Sequence, residues 1–208
     1  CDLSCYGVDD GDCNANTSDY SIDFNEYDHI IVADHSDFSP GYDNFTVEVW
    51  VNADISMQTS NYLPIIEKSS AYHPWPSGYK DHIEIRTQNG YVDVYVRDGE
   101  SDAVWLAGKD YNKGWLAGDG WHHVALVRDG INVLVYFDGE LIMEGSNPDL
   151  GYIDPSYSSG SNTPLMMGRH MTYEPSNSHQ DERPSFEGKI DDVRWWTEAR
   201  SAEQILEY

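Results

Sequence analysis

The feature that most constrains this chain is a period of two. From Tyr20 to Trp196 it passes through short stretches whose apolar residues fall at alternate positions, punctuated by Gly, Asn and Asp. Phe45-Thr-Val-Glu-Val-Trp-Val51 is the clearest of them. Alternation sends successive side chains to opposite faces of a strand, and Val, Thr and aromatic residues suit a pleated, half-buried surface. Further strands are predicted over 20–24, 29–32, 63–68, 82–86, 91–97, 121–128, 132–137, 140–143, 164–169 and 186–196. Asn89-Gly90, Asp129-Gly130 and Asp138-Gly139 mark tight turns between neighbours. The count comes to about eleven to thirteen short strands, the pattern of a sandwich or barrel and not of an α/β fold. Ser201-Ala-Glu-Gln-Ile-Leu-Glu207 alone reads as helix, with Ser201 as N-cap and Glu203 and Gln204 near the capping-box position. No repeat and no Gly/Ser- or Pro-rich linker divides the chain, so its 208 residues fit one all-β domain. Loops are expected over 52–62, 69–81, 99–119, 144–163 and 170–185.

Charge narrows the partners. The formal net charge is −25. A phosphate backbone needs a basic face, so nucleic acid is not an expected partner, and an anionic membrane surface is disfavoured for the same reason. No run approaches the roughly 18 apolar residues of a membrane-spanning helix. With 39% hydrophobic residues, seven Trp and fifteen Tyr, the chain has the means to build a core.

Residues 1–18 read as a separate leader, and 19–208 as the folded domain. The leader holds all three cysteines, Cys1, Cys5 and Cys13. They lack zinc-site spacing. One disulfide and one leftover thiol is the simplest arithmetic; the odd thiol would pair between chains, or Cys1 would be a lipid-modified N-terminus. No secretory signal is visible, as in a mature secreted chain. Asn16 and Asn44 begin glycosylation sequons, in keeping with an extracellular setting.

Several stretches together resemble one family. Phe45-Thr-Val-Glu-Val-Trp-Val51, Ile65-Ile-Glu-Lys68, Trp121-His-His-Val-Ala-Leu-Val-Arg128 with Val135-Tyr-Phe-Asp-Gly139, Met167-Gly-Arg169, Phe186-Glu-Gly-Lys-Ile-Asp-Asp-Val-Arg-Trp195 and Thr197-Glu-Ala-Arg-Ser-Ala-Glu-Gln-Ile205 occur in the order of laminin-G-like jelly-roll domains. These domains belong to the concanavalin-A-like lectin/glucanase superfamily. Where that family has Phe-Asp-Gly near its start, this chain reads Phe24-Asn25-Glu26.

The resemblance implies an all-β, two-sheet antiparallel jelly-roll β-sandwich, with a short C-terminal helix. It also implies a binding module of the kind found in lectins and surface proteins, with glycan or glycoprotein as partner. The alternative is a structural or adhesive surface protein that self-associates through its Cys-containing leader. The glucanase branch carries Glu-x-Asp-x-x-Glu on one strand, where alternation helps bring its acids together. That spacing is absent here; Glu48 has no acid two residues on. Asp191 and Asp192 are adjacent and expected on opposite faces, as are His122 and His123. A non-catalytic role is therefore expected. The resemblance further implies a structural Ca²⁺ between the first and last strands, at Asp23, Asn25 and Asp28 with Asp191 and Asp192.

Sugars stack on aromatic rings and hydrogen-bond to planar polar groups. Candidate ligand residues on that ground are Trp75 and Tyr79 in one loop, Trp105 and Trp115 in another, and Arg169, His170 and Tyr173 at the exit of a strand. Asp81, Asp102, Asp110 and Asn112 are loop residues suited to a sugar-bridging Ca²⁺.

Overall fold

A computed structural model describes residues 21–69, 81–99, 102–155, 163–170 and 185–207. Among them run twelve strands: β1 (Ile22–Phe24), β2 (Ile30–Val32), β3 (Phe45–Ala53), β4 (Leu63–Ser69), β5 (His82–Gln88), β6 (Tyr91–Arg97), β7 (Ala103–Ala107), β8 (His122–Asp129), β9 (Asn132–Phe137), β10 (Glu140–Ser146), β11 (Leu165–Met167) and β12 (Gly188–Trp196). Two four-residue helices join them, α1 (Gly108–Tyr111) and α2 (Ala202–Ile205). The strands form two antiparallel six-stranded sheets, ordered β1-β12-β3-β8-β9-β10 and β2-β11-β4-β5-β6-β7. The sheets pack on a shared core in the arrangement of a jelly-roll sandwich.

Turn chemistry sets the meanders. Asn89 and Gly90 both have positive φ, as do Asp138 and Gly139. Each pair forms a two-residue turn, closing Gln88 against Tyr91 and Phe137 against Glu140. The β1–β2 connection manages without the family glycine. Asp28 donates its N–H to the Asn25 carbonyl at 2.9 Å, and Tyr27 takes the left-handed conformation at φ 74°. Ser201 caps α2 with a complete capping box, whose N3 residue is Gln204.

Inward positions of the second sheet are Ile83 and Ile85, then Val92, Val94 and Val96, then Val104 and Leu106. They meet Val47, Val49, Val51, Val124 and Leu126 of the first. β3 is more enclosed than its alternation suggests, because the C-terminal segment covers its outer side. Thr46 donates its hydroxyl to the Glu198 carbonyl, and Ile205 packs on Ala125, Val127 and Tyr136. Glu48 lies beneath this cover, 3.4 Å from Arg200 and 3.9 Å from His123. Burial pushes its carboxyl up from the ordinary value.

Three expectations change in detail. The stretch 99–119 is not all loop, since β7 and α1 lie within it, and Trp105 is a strand residue. Trp121 precedes β8. The alternation breaks at Asp191-Asp192, because a bulge with Asp192 at φ 47° inserts an extra residue and leaves Ile190 and Val193 both facing the core. The sequon Asn44 uses its own amide structurally, donating to Asp129 and accepting from the Gly130 N–H. Cys1, Cys5, Cys13 and Asn16 lie outside the described residues.

Candidate binding site

The outer face of the second sheet is unusual for its chemistry. β5 turns His82, Glu84, Arg86 and Gln88 away from the core, β6 turns out Tyr91, Asp93, Tyr95 and Arg97, and β7 turns out Trp105. The strand register sets Arg86 opposite Asp93, Tyr95 opposite Trp105, and Glu67 of β4 opposite Glu84. Glu67, Glu84 and Asp93 are at most 2% exposed. Carboxylates so enclosed need partners.

Arg86 serves two of the three. Its guanidinium donates to Glu84 at 2.6 Å and to Asp93 at 3.2 Å. Three rings surround it, with centroids 4.0 Å away for Tyr62, 5.6 Å for Tyr95 and 5.7 Å for Trp105. A planar cation stacked on rings and pinned by two carboxylates is a rigid centre. Trp105 donates its indole N–H to Asp93 at 2.9 Å, so its ring is held in place while 49% of the residue stays exposed. Tyr62 meets Trp105 edge-on at 6.0 Å and is itself 36% exposed. Together they present a fixed aromatic surface.

His170 ties the neighbouring loop to this face. Its Nδ1 is 3.1 Å from Glu67, and its Nε2–H donates to the Tyr62 carbonyl at 3.0 Å. Burial works against its charge, but the Glu67 hydrogen bond and the charges of Glu67 and Glu84 prevail and raise its pKa to about 9. Burial opposes ionisation of Glu84 too, yet His82, Arg86 and His170 hold its carboxyl down to about 2. For Asp93 burial prevails over Trp105 and Arg86, and its carboxyl is raised.

The residues selected from sequence fall out differently. Trp105 and His170 lie on this face. Trp115 is half-buried against the core and meets Tyr91 edge-on at 4.9 Å, bracing the β5–β6 turn. Arg169 stands over the Tyr27 ring at 5.8 Å, toward the β1–β2 turn. Trp75, Tyr79 and Tyr173 lie outside the described residues. Asp23 pairs with Lys189 in the β1–β12 register. Asp28 accepts from the Asn25 N–H, Asp191 accepts from the Asp192 N–H, and Asp192 lies 3.4 Å from Arg194. Among the described residues, the His and acidic groups whose ligand atoms gather within 4.8 Å are instead Glu67, His82 and Glu84. His122 pairs with Asp138 of the β9–β10 turn at 2.8 Å, and His123 packs on Trp50. Glu67, Tyr62, His82, Glu84, Arg86, Asp93 and Tyr95 escaped selection. For the β5 and β6 residues the signal was present in the charged residues that alternate with Ile and Val across the Asn89-Gly90 hairpin.

A two-sheet antiparallel sandwich of this order has the fold of the lectin type. The family profile of the Concanavalin A-like lectin/glucanases superfamily matches residues 24–206, and the chain belongs to that superfamily. No curated protein matches it. Solved structures share the fold at low identity. Domain 4 of the extracellular arabinanase AbnA from Geobacillus stearothermophilus, solved with arabinotriose, is 18% identical with a TM-score of 0.61, over 90% of this chain and 75% of that one. The Ruminococcus gnavus sialidase CBM40 bound to α2,3-sialyllactose is 14% identical with a TM-score of 0.60, over 90% and 95%. The binding domain of Paraclostridial Mosquitocidal Protein 1 is 14% identical with a TM-score of 0.60; this chain spans 90% of its own length but 42% of that one. The similar folds are mostly carbohydrate- or receptor-binding domains. Among the described residues, no helix is long and apolar enough to cross a membrane.

Proposed function

We propose that the domain is a non-catalytic, extracellular glycan-binding module whose site is the outer face of the second sheet. The observation that carries this reading is the exposed Trp105–Tyr62 pair, locked by Arg86 and Asp93 above buried charge. The rings offer an apolar platform for a sugar face, and the groups around them offer directed hydrogen bonds. Little side-chain freedom is left to lose on binding, which favours affinity. The net charge of −25 favours neutral glycans over polyanionic ones.

Calcium belongs to the same proposal. Asp23, Asn25, Asp28 and Asp191 offer hard oxygen donors of the type Ca²⁺ takes. Asp192 is the weakest of the five, since Arg194 already stands against it. A glycan array probed with wild-type protein, with and without chelator, tests both parts. Binding to neutral oligosaccharides that is lost in Trp105→Ala supports the site, and loss on chelation supports calcium. No glycan bound at high protein concentration would overturn the reading.

A further inference from the structure

Glu67 and Glu84 face each other across β4 and β5 with side chains 3% and 0% exposed. Like charges in directly opposed positions repel, and enclosure from water sharpens the cost. His82 projects between them. Its Nε2 lies 3.6 Å from Glu67 Oε1 and 3.4 Å from Glu84 Oε2. A charge-assisted N–H···O bond closes to about 2.7–2.9 Å, so neither separation is one. His82 Nε2 is buried without a hydrogen-bond partner, and so is Glu84 Oε1. His82 Nε2 therefore approaches Glu67 Oε1 and Glu84 Oε2, which accept from Ser69 and Arg86, without bonding to either. Around a tetrahedral ion with bonds of about 2.0–2.1 Å, ligand atoms stand about 3.4 Å apart. The two His82 separations match that spacing, and one ligand atom from each of the three residues lies within 4.8 Å of the others.

We propose that Glu67, His82 and Glu84 form a binding site for a divalent transition-metal ion of the zinc class. One imidazole nitrogen with two carboxylate oxygens selects such an ion over Ca²⁺ or Mg²⁺, which take oxygen. Three protein ligands leave a fourth position open. The supporting shell is already in place. Ser69 donates its hydroxyl to Glu67 Oε1 at 2.8 Å, and Arg86 donates to Glu84 Oε2 at 2.6 Å. Such contacts orient a ligating carboxylate. His170 occupies the other oxygen, Glu67 Oε2, and leaves Oε1 facing His82.

The site stands whether or not the face binds sugar, and its test contains none. Chelator-stripped protein is titrated with zinc chloride by calorimetry, with metal content measured after dialysis. One zinc per chain is expected, undisplaced by millimolar calcium. His82→Ala, at a partly exposed position, is expected to weaken binding more than about tenfold. His122→Ala, beside Asp119 and Asp138, is expected to leave it unchanged. Should Glu84→Gln fail to fold, cobalt substitution of the wild type supplies a second readout, since a four-coordinate site gives visible absorption bands that His82→Ala abolishes. No stoichiometric zinc, or zinc bound equally by His82→Ala, would overturn the site.

Discussion

Replacing Trp105 by Phe separates two roles that one side chain performs. The phenyl ring keeps most of the aromatic surface but removes the N–H donated to Asp93 Oδ2 at 2.9 Å. Asp93 Oδ1 already lacks a hydrogen-bond partner, so the carboxylate would be left with Arg86 alone, at 3.2 Å. A hydrogen bond to a charged group is worth about 1.5–3 kcal/mol. Taking about 2 kcal/mol, the melting temperature of a domain this size falls by roughly 4–8 °C at pH 7. The deficit has a pH signature. Burial holds the folded pKa of Asp93 above its unfolded value, so the cost of its ionised form is present at high pH. It is relieved as pH falls through the folded pKa, because a protonated Asp93 no longer needs the lost donor. Denaturant unfolding at pH 7 and pH 4 should therefore show the gap between wild type and Trp105→Phe narrowing in acid. Glycan affinity should change little in this variant. Trp105→Ala loses the ring as well, and truncating a central Trp costs about 2 kcal/mol or more, roughly thirtyfold in Kd. If Trp105→Phe is as stable as wild type at pH 7, or if both variants bind glycan alike, the reasoning about this residue fails.

Other regions give independent checks. His123 is 3% exposed on its side chain; burial, aided by Arg194, drops its pKa to about 4. Its unfolded counterpart takes a proton near 6.5, so its contribution is complete above that pH and is lost as pH falls from 6.5 to 4, up to about 3 kcal/mol. His123→Gln should flatten the acid limb of the stability profile, and identical slopes for the two proteins would contradict this. Arg128 is buried and donates to the carbonyls of Gly41, Gly130 and Gly151 at 2.9, 3.1 and 2.8 Å. Arg128→Met strands these acceptors and should cost about 3 kcal/mol or more, read by urea denaturation. Gly108→Ala in α1 should be destabilising, although Ala gains roughly 1 kcal/mol over Gly in an ordinary helix. Its Cβ would lie 2.5 Å from the backbone oxygens of Lys113 and Val92, and thermal unfolding reads the sign directly.

Much of the fold was legible because its determinants are local. The Asn89-Gly90 and Asp138-Gly139 turns need left-handed residues, and those residues announce themselves. The Ser201–Gln204 capping box spans a few residues and was readable in place. Trp105 was misassigned to a loop because Ala103-Val-Trp-Leu-Ala107 is too short for its period to stand out beside the turns that flank it. Trp115 is a candidate ligand ring from sequence, and only its neighbours show that it packs half-buried against the core. Gly90 leaves room for it, since a Cβ there would lie 2.8 Å from the indole.

Taken alone, the sequence determined which segments become strands, which side of each is apolar, and where the hairpins close. Those properties follow from a two-residue period and from turn geometry, and both act over a few residues. The tertiary structure decided what the polar sides do. Glu67 meets Glu84 only because β4 and β5 pair in one register, and His170 reaches Glu67 across 103 positions of chain. Alternation shows that Glu84, Arg86 and Asp93 share a face. Whether that face is solvated or enclosed depends on sheet order and on the segments laid over it, and that enclosure turns ordinary surface charges into a candidate site.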